Sequence, residues 1–287
     1  MNTRPFLLHA LSSLHAGTGR TADLIDLPTA RMLATGIPFL PGSSIKGVLR
    51  DARRKVDKEK TEAVFGPERD AAAHAGALVV GDARLLALPV RSFRGTFAWV
   101  TSPLLLTLAK RDLEDATIDI PNIVGRGALP ARESACIHKG KLYLEDLDLT
   151  ATEAVGATAW AQLLAPLVSP GDDIFSKRFA IVDDDTMTFL WETATQVDAR
   201  IRLDEQTRTV AHGALWLEES LPPETLLIGL LAADRSRRPD CVMPPEAVLD
   251  FALSAEAVLQ FGGKASTGRG RCRVIPLTRS GVVHAAS

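Results

Sequence analysis

Aromatic residues make up only 5% of this chain, with a single tyrosine, so its strands supply no obvious row of rings on which bases could stack. Cysteine is scarce as well. Cys136, Cys241 and Cys272 are odd in number and never in C-x-x-C spacing, which excludes a disulfide framework and a structural zinc site and fits a reducing compartment. Neither sign of charge dominates: 33 basic against 35 acidic residues leave a net charge of −2, so no molecule-wide field draws in a polyanion and any such partner must use local patches. The longest apolar run, residues 226–233, is far too short to span a bilayer, and no charged-then-apolar leader is present. The expectation is an untargeted cytoplasmic protein with no membrane partner. Walker, H-E-x-x-H, G-x-S-x-G and zinc-deaminase patterns are missing too. Gly17-Thr18-Gly19-Arg20-Thr21-Ala22 has the outline of a dinucleotide fingerprint, but the acids and prolines after it leave no helix for a pyrophosphate.

What the chain does have is 287 residues that are 46% hydrophobic and 24% charged, the balance of a globular protein, with no Pro/Ser/Gly linker to divide it. Local charge is uneven. Residues 42–60 carry seven Lys or Arg against three acids, and no acid follows Glu256. The two chain ends are therefore candidates for a shared electropositive surface.

The first basic segment is helical by its spacing. Ile45, Val48, Leu49, Ala52 and Val56 form one apolar stripe, and Lys46, Arg50, Arg53 and Arg54 form a basic one. Ser43 or Ser44 would cap it, and the Gly42-Ser43-Ser44 entry would leave free N–H groups facing a phosphate. Before this helix, residues 5–14 read as a buried strand and lead into a glycine-containing loop that carries His15 and two acids, Asp23 and Asp26. Residues 57–77 read as a surface insertion, 78–80, 84–90 and 97–101 as strands, and 103–113 as a helix opened by Ser102-Pro103. A strand at 141–147 and a helix at 152–167 follow. From Val197 to Leu203 the period becomes two, and the turn at 204–207 folds it into a hairpin that projects Arg200 and Arg202 on one face. Then come a strand at 225–233, a helix at 246–259, a glycine-rich loop at 262–270 and a strand at 271–275. In that loop Gly262 and Gly263 permit close backbone approach, while Lys264, Thr267 and Arg269 can engage a phosphodiester chain. The order of elements at the two ends is that of a β-α-β…β-α-β core, so the fold class is α+β, ferredoxin-like or RNA-recognition-motif-like, with insertions.

The glycine-rich loop, Pro41-Gly42-Ser43-Ser44-Ile45-Lys46-Gly47-Val48-Leu49-Arg50, Gly95-Thr96-Phe97-Ala98-Trp99-Val100-Thr101-Ser102-Pro103 and Ala199-Arg200-Ile201-Arg202-Leu203-Asp204 together resemble the RAMP superfamily. Within it, they resemble the repeated backbone subunits of type III-B (Cmr) CRISPR effector complexes. The resemblance implies one domain over 1–287, with a palm core at 1–100 and 218–287 and with insertions and a thumb hairpin between them, at 101–217. It implies copies stacked in a filament along a guide RNA, sister Cmr subunits, and endonucleolytic cleavage of a complementary target RNA. By position, the carboxylate that cuts would be Asp26, and Asp23 would be a solvated loop residue. A loop carboxylate is an anion that phosphate repels, so a divalent metal, magnesium or manganese, is expected with it. His15, Lys46, Arg50, Arg53, Arg54, Arg200, Arg202, Gly262, Gly263, Lys264, Thr267 and Arg269 are the expected RNA contacts. Two alternatives stay open: a non-catalytic RNA-binding scaffold, and a stand-alone, metal-independent guide-processing ribonuclease using groups such as His15.

Overall fold

The structure is a computed structural model. It describes residues 1–17, 25–68, 74–113, 118–204 and 206–277, with 211–213 described in backbone only. Among these residues the chain forms β1 (Asn2–Ala10), β2 (Phe39–Leu40), α1 (Gly42–Arg54), α2 (Lys58–Phe65), β3 (Leu78–Val80), β4 (Ala83–Arg91), β5 (Phe97–Thr101) and α3 (Pro103–Asp112). Next are β6 (Ala128–Pro130), β7 (Ile137–His138), β8 (Lys141–Leu144), β9 (Leu147–Thr150), α4 (Val155–Val168), β10 (Phe179–Val182) and α5 (Asp184–Thr193). The last third holds β11 (Gln196–Leu203), β12 (Val210–Ser220), β13 (Leu226–Ala233), α6 (Pro245–Leu253), β14 (Ala257–Gln260) and β15 (Arg271–Pro276).

One large sheet runs in the order β14-β15-β1-β13-β4-β5-β10-β6, with β2 added to β4 and β3 to β13. Its centre is the expected core. Strand β1 lies antiparallel between β15 and β13, and β13 pairs in turn with β3 and β4. The connections β1–α1–β3 and β13–α6–β15 are the two β-α-β units, and α1 and α6 pack together on one face of the sheet. Strand β1 explains its own apolar run. Phe6 and Leu8 face the side covered by α1, α2 and α6, whereas Leu7 faces the side of α3 and α4, so both faces are buried. On the second side Trp160, Leu106, Trp99 and Phe179 fill the space against the sheet. A sheet face that an open RNA-recognition module would offer to bases is thus closed.

Two expectations are corrected, and two elements are added. The segment expected as a surface insertion at 57–77 contains, among its described residues, helix α2, which buries Ala63, Val64 and Phe65 against α1 and α6, with Asp57 capping the Lys60 N–H at 3.0 Å. The helix expected to run to 259 ends at Leu253, where its apolar stripe of Val248, Leu249, Ala252 and Leu253 is exhausted, and 257–260 pairs with β15 instead. The buried strand β10, parallel to β5, and helix α5 are not evident from the sequence, since β10 has only four residues and the acids before α5 resemble a charge cluster. Asp183 is in fact the cap of α5, accepting from Thr186 N at 2.9 Å. The helix at 103–112 begins as expected, with Ser102 accepting from Leu105 N.

Candidate catalytic loop and nucleic-acid interface

Strand β12 organises the site. After β1 the chain leaves the sheet, and Leu14 exchanges backbone hydrogen bonds with Leu221 at 2.9 Å in both directions. Residues 18–24, Asp23 among them, lie outside the described residues. The chain then runs parallel to β12, with Leu27 N–H donating to the Leu217 carbonyl at 3.1 Å and Glu219 N–H to the Leu27 carbonyl at 2.9 Å. This lacing delivers Asp26. Its carboxylate is exposed, Oδ2 accepts from Leu217 N–H at 2.8 Å, and Oδ1 has no hydrogen-bond partner among the described residues.

His15 is buried, with Nδ1 2.7 Å from the Glu219 carbonyl, so in its neutral form the proton sits on Nδ1 and Nε2 is an acceptor with no hydrogen-bond partner among the described residues. Its own carbonyl accepts from Gly263 N–H at 3.2 Å. The glycine-rich loop therefore packs directly on the first loop. Gly262 is obligatory there: its φ is +70°, and an added Cβ would lie 2.1 Å from the His15 oxygen.

One face of the hairpin meets this loop. Arg200 stands opposite Trp216, Asp198 opposite Glu218 and Gln196 opposite Ser220. Lys264 reaches Glu218 at 2.8 Å from a left-handed backbone with φ of +66°, its amine 5.9 Å above the Trp216 ring. Arg200 pairs with Glu218 at 3.4 Å and with Asp198 at 3.8 Å, while Arg269 pairs with Asp198 and donates to Ser220 Oγ at 3.0 Å. Burial pushes the Glu218 carboxyl up, but hydrogen bonds from Lys264 and Trp216 and the charges of Lys264 and Arg200 outweigh it and hold it at about 2. Three cations thus share two carboxylates, and the cluster keeps one positive charge in excess. Thr267 is exposed and folds back, its hydroxyl on the Lys264 carbonyl at 2.9 Å. Arg202, at the register irregularity of β11, is exposed with no ion-pair partner among the described residues.

The structure brings together His15, Asp26, Arg200 and the Gly262, Gly263, Lys264, Thr267 and Arg269 loop, and it leaves the basic helix elsewhere. Lys46 donates to the Leu78 carbonyl at 3.3 Å, and Leu78 pairs with Ala233 of β13, which pairs on its other side with Asn2. The glycine-rich loop instead bonds Ser13, past the other end of β1, roughly 25 Å away by strand rise. The expected shared electropositive surface is therefore corrected to two separate ones. Most of the cations on α1 also have internal duties: Arg50 donates to the Gly66 carbonyl at 2.9 Å, Arg53 to Ala252 at 3.2 Å, and Arg54 pairs with Asp51 at 3.3 Å and Glu68 at 3.5 Å. Lys46 is half-buried, and desolvation, then the charge of Arg50, lower its pKa. The start of α1 is not an open phosphate site either. Pro41, not Ser43 or Ser44, is the cap, and Gly42 N–H donates to the Asp82 carboxylate at 2.7 Å. Gly42 is needed because a Cβ would stand 2.3 Å from the Val80 oxygen.

The described residues contain no cluster of three or more His, Cys, Asp or Glu side chains able to enclose a metal ion. What Asp26 offers is one carboxylate oxygen at the surface, which fits a largely hydrated magnesium or manganese ion shared with a phosphate and does not fit an all-protein cage. Sequence reasoning missed Glu218, Glu219 and Asp82. The first two carry a signal, since Glu218-Glu219 directly follows the apolar run Ala214-Leu215-Trp216-Leu217 with adjacent acids that both become buried.

A model of the RAMP superfamily matches residues 7–273. The chain belongs to that superfamily. This RAMP chain is 34% identical over 299 aligned positions to the CRISPR system Cmr endoribonuclease Cmr4 of Pyrococcus furiosus, with 97% of each covered. Its fold superposes on the crystal structure of oligomeric Cmr4 from Pyrococcus furiosus with a TM-score of 0.74 at 29% identity, covering 96% of this chain and 98% of the other. A chain of the type III-B Cmr-beta complex bound to cognate target RNA shares the fold at a TM-score of 0.76 and 19% identity, with 96% and 97% covered.

Proposed function

We propose that this chain is the guide-RNA-binding backbone subunit of a type III-B CRISPR ribonucleoprotein, and that it cleaves complementary target RNA endonucleolytically within that complex. The observation that carries this reading is end-to-end similarity to a Cmr endoribonuclease, and the geometry around Asp26 agrees with it. Its partners are the guide RNA, the target RNA, further copies of itself and sister Cmr subunits. No helix among the described residues is long and apolar enough to cross a membrane, and a cytoplasmic location follows from the reading. Base pairing supplies sequence specificity, as in other RNA-guided systems.

Asp26 is the carboxylate proposed to act. With Oδ2 tied to Leu217 N–H, Oδ1 is presented at a fixed place to the 2′-hydroxyl beside the scissile phosphate. Attack of that 2′-oxygen on phosphorus forms the cyclic phosphate and expels the 5′-oxygen; the carboxylate takes the hydroxyl proton, and solvent returns one to the leaving group. Asp26 would be the residue to hold a divalent cation, which would supply charge neutralisation and acidification of the attacking hydroxyl. Lys264 and Arg200, only partly neutralised by Glu218 and Asp198, and the glycine-rich loop hold an RNA backbone beside this carboxylate; Arg269, buried against Asp198 and Ser220, braces that loop, and Arg202 extends the cationic edge along the hairpin.

Asp26→Ala or Asp26→Asn in the reconstituted complex should leave assembly and guide content unchanged and abolish target cutting, and chelation should abolish it in the parent. Normal cutting by the variants would select the scaffold reading. Chelator-insensitive cleavage of precursor RNA by the isolated chain would select guide processing.

A further inference from the structure

Glu219 sits at the root of the hairpin, 2% exposed, and the chemistry proposed for Asp26 gives it no direct part. Burying a carboxylate is unfavourable unless it is paired and hydrogen-bonded, and here both oxygens are engaged. Oε2 accepts from Thr29 N–H at 2.9 Å; Oε1 accepts from Arg31 Nη2 at 2.5 Å and Thr195 Oγ1 at 2.8 Å. The main chain of Glu219 continues the same lacing, donating to the Leu27 carbonyl at 2.9 Å and accepting from His15 Nδ1 at 2.7 Å. Apart from Thr195, every one of these partners belongs to the first loop, on one side or the other of Asp26. Asp26 itself hangs from Leu217, which shares a strand face with Glu219.

We propose that Glu219 is the positioning residue that fixes Asp26 for cleavage, an inference that rests on Asp26 being the cleaving carboxylate. Only a carboxylate satisfies this environment. An amide offers one acceptor oxygen and turns an NH2 group against either the Thr29 N–H or the Arg31 guanidinium. Buried as it is, Glu219 acts through the course of residues 27–31 and not through contact with RNA. A displacement of about 1 Å at the reacting group can lower a rate about a hundredfold while leaving binding intact.

The test is the assembled complex with guide RNA and Glu219→Gln in every copy, measured for target affinity and for cleavage rate at saturating target. The expected result is affinity within about twofold of the parent and a rate about 10- to 100-fold lower. An unchanged rate overturns the proposal, and so does a fall in rate matched by an equal fall in target affinity in the assembled complex, which marks a merely structural role. Should that variant not assemble, Thr195→Val removes one donor to Oε1 from outside the first loop: a rate about threefold lower at unchanged affinity supports the proposal, and an unchanged rate overturns it. Asp26→Asn run alongside keeps the two inferences apart. Normal cutting by Asp26→Asn defeats the assignment of Asp26, whereas its loss together with full activity of Glu219→Gln defeats the positioning role alone.

Discussion

Glu218 shows how a single side chain decides whether the cations beside it are free. Its carboxylate is 1% exposed and carries Lys264 at 2.8 Å and Arg200 at 3.4 Å, so those two cations are partly neutralised from within. Because the folded carboxyl titrates at about 2 and the ordinary glutamate at 4.5, its pairing stabilises the fold fully above pH 4.5 and loses that contribution as pH falls toward 2. Glu218→Gln should therefore unfold at lower denaturant than the parent at pH 7, by about 1–3 kcal/mol, with the difference shrinking as pH falls through that window. Chemical denaturation monitored by tryptophan fluorescence across pH checks it; a difference that is constant down to pH 2 would contradict the pairing.

At the scale of elements, glycines that look alike in the sequence divide into separate kinds. Gly42 and Gly262 are hemmed in by backbone oxygens at 2.3 and 2.1 Å, whereas Gly268 has φ of +79° with open space around it. Gly42→Ala and Gly262→Ala should each destabilise by about 2–4 kcal/mol, and Gly268→Ala by only about 1–2 kcal/mol, the strain of a left-handed alanine. Equilibrium unfolding of the three variants ranks them. Helix α1, the hairpin and the capped start of α3 are legible in the sequence because periodicity and caps are local signals. The purpose of the Gly42 entry is not legible: what fills the helix N-terminus is Asp82, forty positions along the chain and announced by nothing near Gly42. In the same way Asp26 is reachable through its motif, while Glu219, which holds its loop, depends on partners 188 to 204 residues apart in sequence.

Across the whole molecule, a net charge of −2 leaves RNA binding to the few cations that are not consumed internally. Arg53 caps the Ala252 carbonyl, whereas Arg202 stands free of ion pairs among the described residues. In the assembled complex Arg202→Ala should reduce the slope of log affinity against log salt by about 0.7 for each phosphate that the arginine neutralises, and Arg53→Ala should lower stability without altering that slope. Titrations at several salt concentrations separate the two, and a slope change for Arg53→Ala alone would reverse the assignment.

Leu217 both pairs within the hairpin and holds the Asp26 carboxylate. A tilt of that two-stranded arm would consequently carry the Asp26 carboxylate along with it, as a blade travels with its handle. On the role proposed for Asp26, scission would thereby be indexed to the pose of the arm.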